Sequence, residues 1–275
     1  KAVVASVSFF PVFITGLSGN GKTVMTEQVC AKGKRDIIRV NLTEETDEDD
    51  LIGGFRMVDG NTRFFKGPVI RAMELGAILL LDEIDLSHPS RIMCLQSILE
   101  GKGYFIKKTG EYITPAPGFN VIATANTKGK GCEEGQFVGT NVLNEAMLER
   151  FPLTCEQPYP PISTERKILA KVADSLGITK SEERGTKSGN VIEFIEKLTD
   201  WADIIRKTYY DGGVDSLITT RRLIHIINAY AIFDDRMTAI DKCTNRFDEE
   251  TKVSFLQLYT KIDSEVSVEG ESVDI

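Results

Sequence analysis

A glycine-rich loop between an apolar strand and a helix is the feature that most constrains this chain. The segment from Gly16 to Thr23 reads GLSGNGKT and satisfies the pattern G-x-x-x-x-G-K-[ST] at each fixed position. Glycines allow backbone N–H groups to turn inward around phosphate oxygens, and the helix that follows points its positive end at the anion. The residues predicted to bind the phosphates are Gly16, Leu17, Ser18, Gly19, Asn20, Gly21, Lys22, Thr23 and Val24.

Lys22 and Thr23 direct the loop toward a nucleoside triphosphate. A lysine at this position reaches the β- and γ-phosphates, and the hydroxyl that follows can ligate Mg²⁺. The flanks fit as well, because residues 12–15 are predicted to form a buried strand and residues 23–31 a helix. A simple glycine-rich turn between strand and helix is the alternative, but it does not account for the Lys-Thr pair. The sequence therefore predicts a phosphate-binding loop.

The composition bounds the class of protein. The chain has 275 residues, of which 41% are hydrophobic, enough for one large or two modest domains. Its formal net charge of -8 argues against a dedicated nucleic-acid binder, although a local basic patch stays open. The five cysteines form no C-x-x-C pair, which favours reduced thiols in a cytoplasmic protein, and two histidines argue against a histidine-based metal site.

Predicted elements divide the chain into two parts. Strands and helices alternate up to a proline cluster at residues 158–161, and only helical periodicity follows. We therefore predict an α/β domain with a parallel sheet at 1–159 and a helical lid domain at 160–275. Two hairpins are expected around Asp59-Gly60 and Thr109-Gly110. Further predictions are a helix over 89–100 and irregular segments over 127–141, 181–189 and 264–275.

The N-terminal residues 2–14 are apolar, and we interpret them as a linker and the first strand rather than a signal peptide. They lack a cleavage site and lead directly into the glycine-rich loop. The chain begins at Lys1 rather than Met, which leaves room for a preceding segment. No apolar run reaches the ~20 residues that a membrane-spanning helix needs.

Asp82 and Glu83 are the second strong signal, because they follow the hydrophobic run Leu79-Leu80-Leu81. In open α/β sheets, ligands bind at the carboxyl ends of the strands, where these two side chains would lie. Asp82 can hold Mg²⁺ through its water shell, together with the Thr23 hydroxyl. Glu83 is predicted to orient and deprotonate the attacking water, so it is the candidate general base.

Four further polar residues occur at positions that suit phosphate chemistry. Asn126 ends another buried strand, where its amide could bridge the lytic water and the γ-phosphate. Arg150 ends a short helix and could serve as an arginine finger toward a neighbouring subunit, although arginine there is often only a dipole partner. Arg221 and Arg222 open a later helix, and one of them could reach the nucleotide; a solvated basic pair is an almost equal alternative from spacing alone.

These motifs, in this order, resemble the AAA+ ATPases of the MoxR type. Within that branch, the likeness is strongest to the ATPase subunits of aerobic cobaltochelatases and their phage-encoded relatives. The matching stretches run from about residue 12 to residue 262 and are GLSGNGKT, RVNLTEETDEDDLIGGF, FFKGPVIRAMELGAILLLDEID, FNVIATANT, GTNVLNEAMLERF and LITTRRLI. The one departure is the Arg221-Arg222 doublet, where a single arginine is expected.

The resemblance implies a role for each candidate residue. It makes the loop Walker A and Asp82-Glu83 Walker B. It makes Asn126 the sensor-1 residue, Arg150 the arginine finger and Arg221 the sensor-2 residue. Asn41 matches the switch residue that pairs with the catalytic glutamate, and the two predicted hairpins match the helix-2 and pre-sensor-1 inserts.

The resemblance also implies the setting in which these residues act. It implies ATP and Mg²⁺ as cofactors and a homo-oligomeric ring, most often hexameric. It further implies a protein partner with a von Willebrand factor A domain, and a cytoplasmic location, which is the host cytoplasm if the chain is phage-encoded. The expected activity is ATP hydrolysis coupled to remodelling of a partner or to metal insertion.

Two other function classes stay open at the level of sequence. One is a nucleic-acid motor, in which Lys102, Lys107, Lys108, Lys128 and Lys130 would line a basic pore. The other is a nucleotide-gated scaffold with negligible hydrolysis. The acidic total charge disfavours the motor.

Overall fold

The computed structural model describes residues 1–128, 140–179 and 190–264. The chain divides into two compact units, Lys1–Pro158 and Tyr159–Ile275. The predicted irregular segment at 181–189 lies outside the described residues, and those at 127–141 and 264–275 lie mostly outside them. None of the helices in the described ranges combines the length and the apolar character needed to cross a bilayer.

The first unit is built on a parallel sheet. Its strands in chain order are β1 Val12–Thr15, β2 Ile37–Asn41, β3 Gly53–Val58, β4 Asn61–Lys66, β5 Ile78–Asp82, β6 Tyr104–Ile106, β7 Glu111–Ile113, β8 Asn120–Ala125 and β9 Leu153–Glu156. Five of them form a sheet in the order β2-β5-β8-β1-β9, with every neighbouring pair parallel. Strands β5 and β8 are buried along their whole length, as expected for a sheet covered on both faces.

The remaining four strands form the two hairpins that the sequence predicts. Strand β3 pairs with β4 around Asp59-Gly60, and β6 pairs with β7 around Thr109-Gly110. Both turn glycines have positive φ, of 74° and 73°, a backbone conformation that glycine adopts without a steric cost. Apolar and aromatic side chains nevertheless stay exposed on these hairpins: Phe55, Met57, Phe65, Phe105 and Tyr112.

Helices cover both faces of the sheet. Those of the first unit are α1 Ala2–Ala5, α2 Lys22–Lys32, α3 Glu48–Leu51, α4 Pro68–Leu75, α5 Gln96–Leu99 and α6 Glu145–Leu148. The residues at the two ends of helix α4 account for its bounds. Pro68 occupies its first turn, and Gly76 ends it in the left-handed conformation. The larger core contains Leu79, Leu81 and Val121, whereas Ile78, Leu80 and Ile122 pack on the opposite face with Cys30 of α2.

The second unit is entirely helical in its described residues. Its helices are α7 Ile162–Ser175, α8 Val191–Tyr210, α9 Thr220–Phe233, α10 Arg236–Thr244 and α11 Glu249–Ile262. Four of them begin at a side chain that accepts a backbone N–H, namely Asn190, Thr219, Asp235 and Asp248. The unit has its own core around Trp201, whose indole donates to the carbonyl of Phe255 at 2.9 Å.

The α/β fold class with an additional helical region is therefore confirmed, but some predicted elements are wrong. The helix expected over 89–100 is α-helical only in α5, after a 3-10 turn at Met93–Leu95. Its buried residues are Ile92, Leu95, Ile98 and Leu99, a spacing that a 3-10 turn and an α-helix can both bury, so the pattern alone could not separate the two. The sequence interpretation also missed α1, β9 and α10.

Candidate nucleotide-hydrolysis site

The glycine-rich loop joins β1 to α2 at the carboxyl edge of the sheet. Gly16 has a φ of 149°, and a Cβ added there would stand 2.4 Å from the carbonyl oxygen of Gln157. Gly21 has a φ of 90° and precedes the first residue of α2. Both positions therefore require glycine, the first because of backbone contact and strain and the second because of strain alone. This places the N-terminus of an eleven-residue helix directly behind the loop.

Lys22 lies across the loop rather than in solvent. Its Nζ donates to the carbonyl oxygens of Gly16 at 2.6 Å and Leu17 at 3.0 Å, and to Oδ1 of Asn126 at 3.2 Å. The first two contacts hold the ammonium group at the centre of the loop. The third brings together two residues that are 104 positions apart in the chain and that the sequence assigns to the same site.

The loop is clamped from the side by Gln157. The amide of Asn20 donates to the Gln157 carbonyl at 2.6 Å, and the Gln157 amide donates back to the Asn20 carbonyl at 3.3 Å. The backbone N–H of Gln157 donates to Thr15 at 2.8 Å, which continues the β1–β9 ladder. Sequence reasoning missed Gln157, because strand β9 was itself missed.

Three side chains contact the carboxylate of Asp82. The Thr23 hydroxyl lies 2.9 and 3.1 Å from its two carboxylate oxygens, and the Thr124 hydroxyl donates to Oδ1. The guanidinium of Arg39 donates to Oδ2 at 2.6 Å. Thr124 and Arg39 were not predicted. Thr124 stands two residues before Asn126, and the alternation of side chains along a strand could have indicated it.

The Asp82 carboxylate and the Thr23 hydroxyl lie within hydrogen-bond distance of each other, and together they offer oxygen ligands that suit Mg²⁺. This ion prefers oxygen ligands, keeps several waters and is usually held by one or two carboxylates together with substrate phosphates. In the described ranges, no group of three or more His, Cys, Asp or Glu side chains is arranged to hold a metal. Thr23 and Asp82 thus fit an ion that arrives with a phosphate ligand and not one caged by protein alone.

Glu83 leaves the sheet in a strained conformation. Its φ of 59° and ψ of 47° lie in the left-handed region, which is uncommon for a residue with a long side chain. Its backbone N–H donates to the Thr124 hydroxyl at 3.1 Å, and its side chain is exposed. The turn separates the two adjacent acids: Asp82 is buried among hydroxyls, while Glu83 faces solvent, where a water molecule can reach it.

Asp85 positions the backbone that carries Asn126. Its fully buried Oδ2 accepts the N–H groups of Asn126 and Thr127, both at 2.9 Å, and the Thr127 hydroxyl at 3.0 Å. Its other oxygen accepts no hydrogen bond from the described residues. The sequence could have indicated Asp85, because it is a third acidic residue two positions after Glu83.

Asn41 lies beside Asp82 in the sheet register but contacts a different partner from the one predicted. Its Oδ1 accepts from Nε of Arg39 at 3.0 Å. Within the residues that the structure describes, no hydrogen bond joins Asn41 to Glu83. A switch contact between the amide and the glutamate therefore stays a prediction.

Arg150 is held within its own unit. Its Nε and Nη2 donate to Oε1 of Glu100 at 2.9 and 2.8 Å, and Nη1 donates to the carbonyl of Ala146. Lys102 also contacts Glu100, at 2.5 Å, and the hydrogen bonds from Lys102 and Arg150 lower the pKa of that carboxyl. The hydrogen bonds of the guanidinium in the described residues therefore go to Glu100 and to its own helix, and none goes to Lys22 or Asn126.

The two arginines that open α9 differ in their surroundings. Arg222 donates to the carbonyl of Cys243 at 2.6 Å and lies 5.8 Å from the centroid of the Phe247 ring. Burial, reinforced by Arg246, lowers the pKa of the Arg222 guanidinium. Arg221 is exposed. Since Arg222 is used inside the helical unit, the contacts favour Arg221 as the residue available to a ligand.

A buried ion pair fixes the start of α9 just before these arginines. Arg206 forms two hydrogen bonds of 2.9 Å with Glu165, and the Thr220 hydroxyl donates to the same carboxylate at 2.6 Å. The guanidinium also lies 4.1 Å from the ring centroid of Tyr159. Such bidentate pairs are geometrically specific, so this one fixes the backbone from which Arg221 projects.

Three of the lysines that could line a basic pore are paired with acids. Lys102 contacts Glu100, Lys108 contacts Asp49, and Lys128 contacts Glu156 at 2.8 Å. Lys130 lies outside the described residues. The acids offset much of the positive charge that binding to a phosphate backbone requires.

The parallel sheet, the phosphate loop before α2 and the acid pair after β5 define a P-loop nucleoside triphosphatase. A model of the AAA domain (dynein-related subfamily) matches residues 11–151, about half of the chain. The chain therefore belongs to this AAA domain family, as the sequence resemblance predicts, and it is an ATPase.

Curated relatives extend the match into the helical unit. The chain is 30% identical over 242 residues to the aerobic cobaltochelatase subunit CobS of Sinorhizobium sp, covering 84% of this chain and 70% of that protein. It is 35% identical over 242 residues to an uncharacterized protein of Staphylococcus epidermidis, covering 79% and 88%. Against a Staphylococcus haemolyticus protein, 36% identity extends over 147 residues and spans 52% of that relative.

Solved structures share the fold at low sequence identity. NtrX from Brucella abortus, in complex with ADP, superposes with a TM-score of 0.53 at 18% identity, covering 86% of this chain and 48% of NtrX. A putative ATPase from Cytophaga hutchinsonii gives a TM-score of 0.50 at 16% identity, covering 97% and 88%. These two likenesses support the fold alone.

Proposed function

We propose that this chain is a ring-forming, Mg²⁺-dependent ATP hydrolase that couples turnover to the remodelling of a partner protein. The observation that carries the proposal is the meeting of Lys22, Thr23, Asp82 and Asn126 at one edge of the sheet, from three separate parts of the chain. The exposed Glu83 at the same edge supports hydrolysis by water over transfer to another substrate.

Each residue then has a chemical task in the proposed reaction. The loop amides and Lys22 bind the β- and γ-phosphates, while Thr23 and Asp82 hold Mg²⁺ and its waters. The ion, when bound, offsets the charge that develops on the phosphate oxygens. Glu83 takes a proton from the attacking water, and Asn126, fixed by Asp85, orients that water against the γ-phosphate.

The arginine finger is proposed to act between subunits. Arg150 bonds to Glu100 and to its own helix, not to the group around Lys22, so the unit's own site is left without this arginine. A neighbouring copy in a closed ring, most often hexameric in such ATPases, would present its Arg150 to the γ-phosphate. An arginine supplied in this way contributes ~10³–10⁵ to the rate. Arg221 would bind the nucleotide from the helical unit.

The partner and the client are proposed from the relative at 30% identity. A cobaltochelatase subunit suggests a partner with a von Willebrand factor A domain and a cytoplasmic role in metal insertion. The apolar side chains exposed on the two hairpins, including Phe55, Met57 and Phe105, support contact with another protein. Capture with Glu83→Gln, which binds ATP but does not hydrolyse it, would identify that partner.

A mixing experiment tests the central proposal. Arg150→Ala and Glu83→Gln subunits are each expected to be inactive, and a mixture is expected to regain activity where an intact finger faces an intact base. Arg71→Ala, on the exposed face of α4, is the matched arginine control and should behave as wild type. No recovery in a mixture that demonstrably co-assembles would contradict catalysis between subunits.

A further inference from the structure

Arg39 connects three parts of the site that the proposed reaction treats separately. From β2, its Nη2 donates to Oδ2 of Asp82 at 2.6 Å and its Nε donates to Oδ1 of Asn41 at 3.0 Å. Its Nη1 lies 3.3 Å from Oε1 of Glu27 on α2. All three guanidinium nitrogens are therefore engaged.

The register of the sheet explains why one arginine reaches all of them. Arg39 pairs with Leu80 and Asn41 pairs with Asp82 on the neighbouring parallel strand β5. Alternate residues of a strand share a face, so Arg39 and Asn41 stand on the same side as Asp82, the side that α2 covers. A guanidinium at position 39 can thus extend along the sheet edge to the carboxylate two residues further on.

The contact places a fixed positive charge on the carboxylate that is proposed to hold the metal. The Asp82 side chain is 5% exposed, whereas that of Arg39 is 42% exposed. A divalent cation held through Asp82 must share this carboxylate with the guanidinium, and like charges at such separations repel. The partial exposure of Arg39 keeps the repulsion moderate and sensitive to salt.

We propose that Arg39 is a positioning residue that competes with Mg²⁺ for Asp82 and couples occupancy of that carboxylate to the orientation of Asn41. When a cation draws on Oδ2 of Asp82, the guanidinium loosens, and its Nε releases the Asn41 amide. The inference rests on the proposed function, because it assigns a control element to the same Mg²⁺ and nucleotide site.

The test is a Mg²⁺ titration of nucleotide binding, read by the fluorescence of a labelled ADP. Arg39→Gln removes the charge and is expected to lower the Mg²⁺ concentration at half-saturation by roughly tenfold, with little change in binding without Mg²⁺. Arg39→Lys keeps the positive charge but loses the planar guanidinium that contacts three partners. Its Mg²⁺ concentration at half-saturation should therefore stay near that of the wild type. Glu27→Gln removes only the negative charge of the outer partner and is the matched control.

The outcomes separate this inference from the proposed function. If the wild-type chain binds no labelled ADP, the proposed function fails. If it binds, but Arg39→Gln leaves the Mg²⁺ concentration at half-saturation unchanged or raises it, the competition is refuted. Arg39 would then only connect β2 to α2. If Arg39→Gln lowers the Mg²⁺ concentration at half-saturation, and this difference from the wild type becomes smaller at high salt, the electrostatic competition is supported.

The link to Asn41 has its own readout. Asn41→Ala alone should reduce ATP turnover and, because it removes one of the bonds that hold Arg39, should lower the Mg²⁺ half-saturation by less than Arg39→Gln does. If Arg39 acts through Asn41, Asn41→Ala should change turnover much less in the Arg39→Gln background than in the wild type. Fully additive effects of the two substitutions on turnover would refute the coupling.

Discussion

Replacing Asp85 tests whether Asn126 is positioned through its backbone. All three donors to this side chain converge on Oδ2, and Oδ1 accepts none from the described residues. Asp85→Ala removes the acceptor and leaves two backbone N–H groups and a hydroxyl buried without it. A hydrogen bond to a charged group contributes about 1.5–3 kcal/mol, and shared acceptors are not additive. We expect a loss of about 3 kcal/mol in the free energy of unfolding.

The loss should appear in both stability and turnover. For a unit of this size, about 3 kcal/mol corresponds to a fall in Tm of roughly 6–12 °C. If Asn126 orients the attacking water as proposed, a displacement of its side chain by about 1 Å should lower kcat by ~10²-fold. Labelled-nucleotide binding should change much less than kcat, since the loop amides do not depend on Asp85.

Asp85→Asn is the matched variant for this prediction. The asparagine carbonyl can occupy the place of Oδ2 and accept the same donors, while its amide fills the place of Oδ1. We expect it to lose about 1 kcal/mol and to keep most of the turnover. The reasoning is refuted if Asp85→Asn is as damaging as Asp85→Ala, or if Asp85→Ala hydrolyses ATP at the wild-type rate.

Three further predictions concern stability and reactivity. Glu165→Ala should destabilise the helical unit by about 3–5 kcal/mol, seen as a lower denaturant midpoint, because Arg206 loses its buried partner; a smaller loss than that of an exposed pair would refute this. Burial alone would raise the pKa of Asp263, but hydrogen bonds from Lys197, Tyr259 and Arg236 outweigh it and hold that pKa below 3.8. The stability that this carboxylate contributes is therefore complete above about pH 4 and is lost as the pH falls through its folded-state pKa; thermal scans should show that loss in the wild type and not in Asp263→Asn. Burial raises the pKa of the Cys94 thiol to about 12, so peptide mapping after alkylation at pH 8 should find the exposed Cys155 modified and Cys94 intact.

Local rules predicted elements whose ends carry strong signals. Helix α4 is bounded by two residues that a sequence shows directly, Pro68 in its first turn and Gly76 at its C-cap, and both predicted hairpins follow their glycine turns. Strand β9 could not be predicted in this way, because its four residues are exposed and only pairing with β1 makes them a strand. Helix α10 has a weakly amphipathic sequence, and its buried Arg236 is stabilised by Asp263, which comes 27 residues later.

The site shows the same division between local and long-range information. The loop and the acid pair are contiguous in sequence, so their chemistry could be inferred before the fold. The contacts of Thr124 and Arg39 with Asp82 depend on the register of three strands. An arginine in a strand with exposed alternate positions is ordinarily a surface residue, and no spacing rule would connect it to a carboxylate 43 positions away.

The clamp formed by Gln157 has a mechanical consequence. This residue bonds to Thr15 and to Asn20 of the phosphate loop, and its successor, Pro158, is the last residue of the first unit. The covalent path from the helical unit therefore arrives first at a peptide that is bonded to the loop. Tension along the backbone would therefore reach the phosphate loop through this peptide and its hydrogen bonds. In the reverse direction, a phosphate loop that tightens around a nucleotide would pull on the Gln157 peptide and so on the chain that leads to the helical unit.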